Sequence, residues 1–170
     1  IISNDFWDEP VYSPKNITIT SGCTLTITST VHLGNNSVVT IEPGAKLVIN
    51  GGTLTAGKGC CDMWQGILIE GDATKSQIPQ TNQGVVHIID GTIRYARIAL
   101  NVEAGGIVWA DNAIFENNEI SIIHTGPYVN FVPTTFDPIP DLSYINNSTF
   151  EINDNYVFNM IPPWFIIYSQ

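Results

Sequence analysis

Apolar and polar residues alternate with a period of two through most of this chain, in short segments separated by Gly, Asn, Asp and Pro. Clear examples are "TLTIT", "KLVIN", "GVVHII" and "GIVWA". Strict alternation is typical of β-strands that bury one face, and the intervening residues are those that turns require. Almost no segment has the periodicity of a helix. The pattern therefore predicts an all-β fold built from short strands.

The same pattern recurs along the chain. "NITITSGCTLTIT" (16–28) aligns without a gap on "VVTIEPGAKLVIN" (38–50), at an offset of 22 residues. Further copies follow after insertions: 84–93 on 45–54, 106–115 on 85–94 at an offset of 21, and 142–153 on 107–118 at an offset of 35. A repeat of this length with strands and no helix is typical of a solenoid.

The repeat length fits one coil of a parallel β-helix. At about 3.3 Å per residue, 22 residues make roughly 70 Å of strand and turn, enough for three short strands. Stacked coils would bury apolar columns that one coil cannot bury alone. The alignments predict these columns: Ile17, Ile19, Leu25 and Ile27 on Val39, Ile41, Leu47 and Ile49; Leu47, Val86 and Ile107; and Ile49, Ile88 and Trp109.

The alignments also predict the domain organisation. Residues 1–15 lack the repeat and are interpreted as an N-terminal cap or lead-in. Residues 16–170 form the coils, which we expect to continue beyond residue 170. Two insertions interrupt them: 70–84, predicted as a flexible polar loop, and 124–141, rich in Pro and aromatic residues. In solenoids such insertions leave the coil, often on a binding face.

Composition excludes some functions. The 170 residues carry 16 acidic and 6 basic side chains, a net charge of −10. Nucleic-acid binding requires clustered Lys and Arg, so we expect no nucleic-acid partner. No apolar run reaches the length of about 18 residues that a membrane-spanning helix needs, so no membrane insertion is expected. Few Lys residues, many Thr, Asn and Gly residues and low overall charge favour an exported protein.

Three cysteines leave their pairing open. Cys23 could form a disulfide with Cys60 or Cys61, the adjacent Cys60 and Cys61 could pair with each other, or all three could be free buried thiols. Their spacing does not match a zinc site.

One stretch resembles a known family. "DEPVYSPKNITITSGCTLTIT", "VTIEPGAKLVINGGTLTA", "MWQGILIEGD" and "GTIRYARIAL" resemble the right-handed parallel β-helix segments of large exported proteins of Bacteroidetes. The resemblance covers roughly residues 8–118, and its most specific step is "W-x-GI" at Trp64, Gly66 and Ile67. It implies a right-handed parallel β-helix of about 22 residues per coil. It also implies cargo of the type IX secretion machinery, located outside the cell or on the outer-membrane surface.

Candidate chemistry is sparse. The residue sets of β-helical polysaccharide lyases and hydrolases are absent, and Arg94 and Arg97 are interpreted as solvated. No cofactor is expected, although Asp90 and Asp111, predicted with Asn50 and Asn146 at one corner of the coils, could bind Ca²⁺.

Aromatic residues suggest contacts with glycans. The candidates, outward or on the second insertion, are Tyr95, Tyr128, Phe131 and Phe136.

The sequence thus favours a non-enzymatic structural or adhesive segment of a secreted or cell-surface bacterial protein, with loops that contact glycans or proteins. One alternative is part of a carbohydrate-active β-helix whose active site lies elsewhere. A second is export cargo that binds no ligand on this segment.

Overall fold

A computed structural model describes residues 1–57 and 63–153 of the chain. Within these residues the fold is all-β, with a single 3-10 turn at Gln80–Asn82. The strands are β1 Asp5–Trp7, β2 Val11–Ser13, β3 Ile17–Ile19, β4 Thr24–Ile27, β5 Thr30–Leu33, β6 Val38–Ile41, β7 Lys46–Asn50, β8 Thr53–Ala56, β9 Trp64–Ile69, β10 Val85–Ile89, β11 Thr92–Arg94, β12 Ala96–Glu103, β13 Ile107–Asp111, β14 Ile114–Glu116, β15 Ile120–Thr125, β16 Tyr144–Asn146 and β17 Thr149–Glu151.

The strands form three parallel sheets that do not close into a barrel. Sheet A has the order β1-β4-β7-β10-β13-β16, sheet B the order β17-β14-β11-β8-β5-β2, and sheet C the order β15-β12-β9-β6-β3. Successive strands therefore enter sheets A, B and C in strict rotation. We call each set of three successive strands a coil. This arrangement is consistent with a parallel β-helix.

The predicted stacking of the first two copies is confirmed. Leu25 pairs with Leu47 and Ile27 with Ile49 in sheet A, while Ile17 and Ile19 pair with Val39 and Ile41 in sheet C. All of these side chains are buried in one core cluster. Full burial of one such side chain contributes about 1.5–3 kcal/mol, so the stacked columns supply the main stabilising term.

The predicted position of Trp109 inside the core is wrong. Val85 pairs with Ile107 and His87 with Trp109, so the offset between these strands is 22 residues and not 21. Because side chains alternate between faces, a shift of one residue moves every side chain to the opposite face. Val108 and Ala110 take the inward positions, and Trp109 lies on the outer face of sheet A, partly exposed.

The corner after sheet A explains this error. Gly51, Asp90, Asn112 and Asn147 follow the strands of successive coils, and all have positive φ, between 47° and 70°. Asn and Asp tolerate this left-handed conformation better than most residues. Asp90 therefore corresponds to Asn112. The alignment instead matched Asp90 with Asp111. Asp111 does lie in the predicted column, because it pairs with Asn146 and, through Ile89, stacks with Asn50, whereas Asp90 lies outside that column.

A bulge in sheet C accounts for the "W-x-GI" step. Ile98 pairs with Gly66 but Leu100 pairs with Ile67, so Ala99 is an extra residue in β12. Gly66 has φ +109°, and a Cβ atom placed on it would lie 1.6 Å from the carbonyl oxygen of Ile98. Only glycine fits a position where another backbone comes this close.

The remaining boundaries differ slightly from the sequence prediction. Residues 1–15, interpreted as a cap or lead-in, supply β1 and β2, which pair with β4 and β5. The first insertion lies between β9 and β10, as predicted. The second begins after Thr125, because His124 and Thr125 still belong to β15.

Candidate functional site

The first insertion folds around a buried glutamine. The side chain of Gln83 is fully buried and accepts a hydrogen bond from the backbone N–H of Asp72 at 2.6 Å. Its amide donates to the carbonyl oxygens of Asp72 and Lys75 at 3.0 and 2.9 Å. Because buried polar groups must find partners, these bonds fix the path of the loop. The segment predicted as a flexible polar loop is instead anchored from within.

A buried asparagine organises the second insertion and ties it to the first. Oδ1 of Asn130 accepts the backbone N–H groups of Gln77 and Phe131, each at 3.0 Å, and its amide donates to the carbonyl oxygen of Pro140. Gln77 belongs to the first insertion, 53 residues earlier in the chain. The two insertions therefore form one unit on the surface, which we call the insertion pad.

Gln77 completes the link between the pad and the strands. Its fully buried side chain donates to the carboxylate of Asp141 at 3.0 Å and to the carbonyl oxygen of Gly105, and it accepts the N–H of Leu142 at 2.8 Å. Leaving one of these partners unsatisfied would cost about 1–3 kcal/mol. The pad is thus held by buried amides rather than by an apolar core of its own.

A pocket of about 490 Å³ opens beside the pad, where sheet C gives way to sheet A. Val102, Ala104 and Ile123 form its apolar part, and Gly105, Gly106 and Gly126 also line it. Its polar lining comes from two strands and the second insertion: Glu103, His124, Thr125, Tyr128, Asp141 and Ser143. The hydroxyl of Tyr128 donates to the carbonyl oxygen of Lys75 at 2.9 Å, which joins the pocket wall to the first insertion. Burial, followed by the charge of Asp141, raises the pKa of Tyr128, so its hydroxyl is protonated at neutral pH.

A row of three glutamates borders this region. Glu42 and Glu70 directly follow β6 and β9 in sheet C, and Glu103 is the last residue of β12 in the same sheet. Burial, followed by the charges of Glu103 and Glu42, raises the pKa of Glu70. The row gives this edge of the pocket a negative field that opposes anionic ligands.

The elevated pKa of Glu70 predicts a pH-dependent stability. The folded protein holds the Glu70 proton more tightly than the unfolded chain, so this group favours folding at low pH and the benefit is lost as pH rises through the folded-state pKa. We expect Glu70→Gln to raise the melting temperature at pH 7 and to give no gain at pH 3. Thermal unfolding followed by circular dichroism checks this, with Glu9→Gln as an exposed control. A Glu70→Gln variant that is less stable than the wild type at pH 7 would contradict it.

The structure brings some of the predicted aromatic residues together. Phe131 stacks on Phe136 with 5.4 Å between ring centroids, and Phe136 is 73% exposed. Tyr128 lies in the same insertion. Tyr95 lies elsewhere, at a left-handed position between β11 and β12, with the guanidinium of Arg94 over its ring. The pad therefore carries three of the four predicted candidates.

The predicted calcium ligands hold amide and hydroxyl partners. Asp90 accepts a hydrogen bond from the side chain of Asn112 at 3.0 Å, and Asp111 accepts from Tyr144 and Asn146 at 2.8 and 3.2 Å. Within residues 1–57 and 63–153 no three His, Cys, Asp or Glu side chains are placed to hold a metal ion. Calcium binding by Asp90 and Asp111 stays a prediction.

Of the three cysteines, Cys23 is buried, and its sulfur lies 3.6 Å from the hydroxyl of Thr20. Cys60 and Cys61 lie outside the described residues. The choice between a disulfide and free thiols therefore stays open.

Sequence reasoning missed the residues that build the site. Gln77 and Asn130 are polar residues in polar loops, and alternation assigns no burial to such positions. The only available signal was their position in the two insertions, which are the places where solenoids often bind partners.

The fold and the pocket define the class of this molecule: an all-β chain of three parallel sheets with a loop-built pocket at one corner. A comparison with protein-family models, curated proteins and solved structures finds no match to the chain. In the part of the chain that the structure describes, no helix is long and apolar enough to cross a bilayer.

Proposed function

We propose that this chain is a right-handed parallel β-helix segment of an exported bacterial surface protein, and that it binds a glycan at the pocket beside the insertion pad without catalysing a reaction. The strict rotation of strands through sheets A, B and C supports the β-helix. The resemblance in residues 8–118 supports the Bacteroidetes origin, the type IX export machinery as partner and the location outside the cell.

The observation that carries the binding function is the construction of the pocket. Its lining combines carboxylates, hydroxyls and the ring of Tyr128, which suits a sugar with hydroxyl groups on its rim and C–H groups on its faces. Gln77 and Asn130 hold this lining in place before a ligand arrives, and such preorganisation lowers the ordering cost of binding. A neutral or basic sugar suits the acidic surroundings of the pocket better than an acidic one.

A glycan array probed with the whole chain tests this function. We expect binding to a subset of neutral or amino sugars, and we expect Glu103→Gln to weaken that binding by about tenfold or more, because a hydrogen bond to a charged group is worth about 1.5–3 kcal/mol. Asp137→Asn is the matched control, since Asp137 is an exposed acid of the same pad that does not line the pocket.

The array, together with an assay for reducing ends, separates the alternatives. Binding to no glycan, or binding that Glu103→Gln leaves unchanged, would overturn the proposal. Glu103 and Asp141 are two carboxylates in one pocket, which is the minimum equipment of a glycoside hydrolase. Release of reducing ends from a bound glycan would show that the segment is an enzyme.

A further inference from the structure

The outer face of sheet A carries a row of aromatic and polar side chains away from the pocket. Val48, His87, Trp109 and Tyr144 occupy paired outward positions on four adjacent strands. Lys46, Asp111 and Asn146 flank them. We call the following set the outer strip: Lys46, His87, Trp109, Asp111, Tyr144 and Asn146.

The rings of the strip are held in fixed positions. Trp109 and Tyr144 are stacked, with centroids 6.4 Å apart and planes 18° apart, and His87 meets Trp109 edge-on at 5.4 Å. The indole N–H of Trp109 donates to the carbonyl oxygen of Leu142 at 2.9 Å, and the hydroxyl of Tyr144 donates to Asp111 at 2.8 Å. Tyr144 remains 39% exposed. An aromatic surface fixed in this way binds with little ordering cost.

The outer strip carries one positive and one negative side chain beside its aromatic rings, Lys46 and Asp111. The ammonium group of Lys46 lies 4.9 Å from the centre of the Trp109 ring and already occupies the position that a cationic ligand would take. Hydrogen bonds from Tyr144 and then Asn146 lower the pKa of Asp111, which keeps that carboxylate ionised. Burial, and then the charge of Lys46, lowers the pKa of His87, so its ring is neutral at pH 7. One cation and one anion beside the rings favour neither a cationic nor an anionic ligand.

We propose that the outer strip is a second binding site, and that it takes the pyranose rings of a neutral polysaccharide. The C–H face of a sugar would rest on the exposed part of the Tyr144 ring, which Trp109 holds in position by stacking on it. Its hydroxyl groups would exchange hydrogen bonds with Asp111, Asn146 and Lys46. The site lies on a flat sheet face rather than in a pocket, so it suits a polymer that runs across several strands. It does not depend on ligand binding at the pocket.

The experiment titrates the whole chain with a soluble neutral β-glucan, a galactomannan and a polygalacturonate, using calorimetry and tryptophan emission. We expect a neutral polysaccharide to bind and to change the emission of Trp109, and the polyuronate to bind at least about tenfold more weakly. In Glu103→Gln protein, where the pocket is weakened, Tyr144→Ala and Trp109→Ala should each weaken binding about tenfold or more, which corresponds to about 1.4 kcal/mol. Tyr12→Ala is the control, because Tyr12 is a 64% exposed tyrosine on sheet B.

The variants also separate this site from the pocket. Glu103→Gln should leave polysaccharide binding at the strip unchanged. Binding of a neutral polysaccharide by Glu103→Gln protein that survives the further changes Trp109→Ala and Tyr144→Ala would overturn the strip, as would the absence of binding to any neutral polysaccharide. If Glu103→Gln abolishes all binding while the strip variants do not, the pocket function stands and the strip fails. Circular dichroism of each variant establishes that it is folded. Asn146→Ala is an additional variant with a smaller change at the rim of the strip, and we expect it to lower the affinity for the polysaccharide a few fold.

Discussion

Replacing Gly66 with alanine is expected to destabilise the protein by about 4 kcal/mol, the largest effect that we expect from one added methyl group. The new Cβ would lie 1.6 Å from the carbonyl oxygen of Ile98, at the bulge of β12, and the backbone has φ +109°. Unfavourable backbone geometry costs about 1–3 kcal/mol, and forced overpacking adds about 1–3 kcal/mol. The strand pairing between β9 and β12 must open to accept the change. Urea unfolding followed by circular dichroism measures the loss.

Gly51→Ala is the matched control. Gly51 also has positive φ, at 70°, but no atom lies within 4 Å of an added Cβ. The left-handed backbone alone should cost about 1 kcal/mol. The same corner holds Asp90, Asn112 and Asn147 in later coils, which shows that side chains are accommodated there. Equal losses in the free energy of unfolding for Gly66→Ala and Gly51→Ala would mean that the carbonyl oxygen of Ile98 does not lie close to Gly66.

Replacing Phe115 with alanine is expected to cost about 3–5 kcal/mol and to lower the melting temperature by roughly 10 °C. Phe115 is 1% exposed, and its ring stacks on Phe150 at 4.8 Å with planes 4° apart. The substitution leaves a cavity that neighbouring strands, pinned by their hydrogen bonds, cannot close. Thermal and urea unfolding of the purified variant measure both quantities.

Trp109→Ala completes this test. The offset of 22 found in the structure and the offset of 21 in the sequence alignment predict opposite rankings of the stability lost in Trp109→Ala and in Phe115→Ala. At an offset of 22, Trp109 is outward, and its substitution removes stacking worth about 0.5–1.5 kcal/mol and a hydrogen bond to Leu142 worth about 0.5–1.5 kcal/mol. At an offset of 21, Trp109 would be a core residue and Phe115 would lie outside. A loss for Trp109→Ala that exceeds the loss for Phe115→Ala would contradict the structure and would also remove the outer strip.

Much of the fold could be predicted from the sequence, because each coil repeats its own local rules. Alternation identifies the inward row, and the gap-free match of 16–28 on 38–50 fixes which residues stack. The pairing of Leu25 with Leu47 and of Ile19 with Ile41 confirms both. This worked because burial of one face strongly restricts the register of a strand.

The candidate site was predicted only in part. The second insertion and its aromatic residues were identified from composition, and Tyr128 does line the pocket. The contact between the insertions was not predicted, because it joins residues 53 apart in the chain through single hydrogen bonds. No periodic pattern records such a contact.

The sequence by itself determined the alternation of strands and turns, the repeat length and the identity of most inward residues, because these depend on which side chains avoid water. Only the tertiary structure decided the face of Trp109, the separate columns of Asp90 and Asp111 and the joining of the two insertions. These depend on which backbone conformation each corner adopts and on partners for buried amides. Both are settled only when distant coils lie against each other.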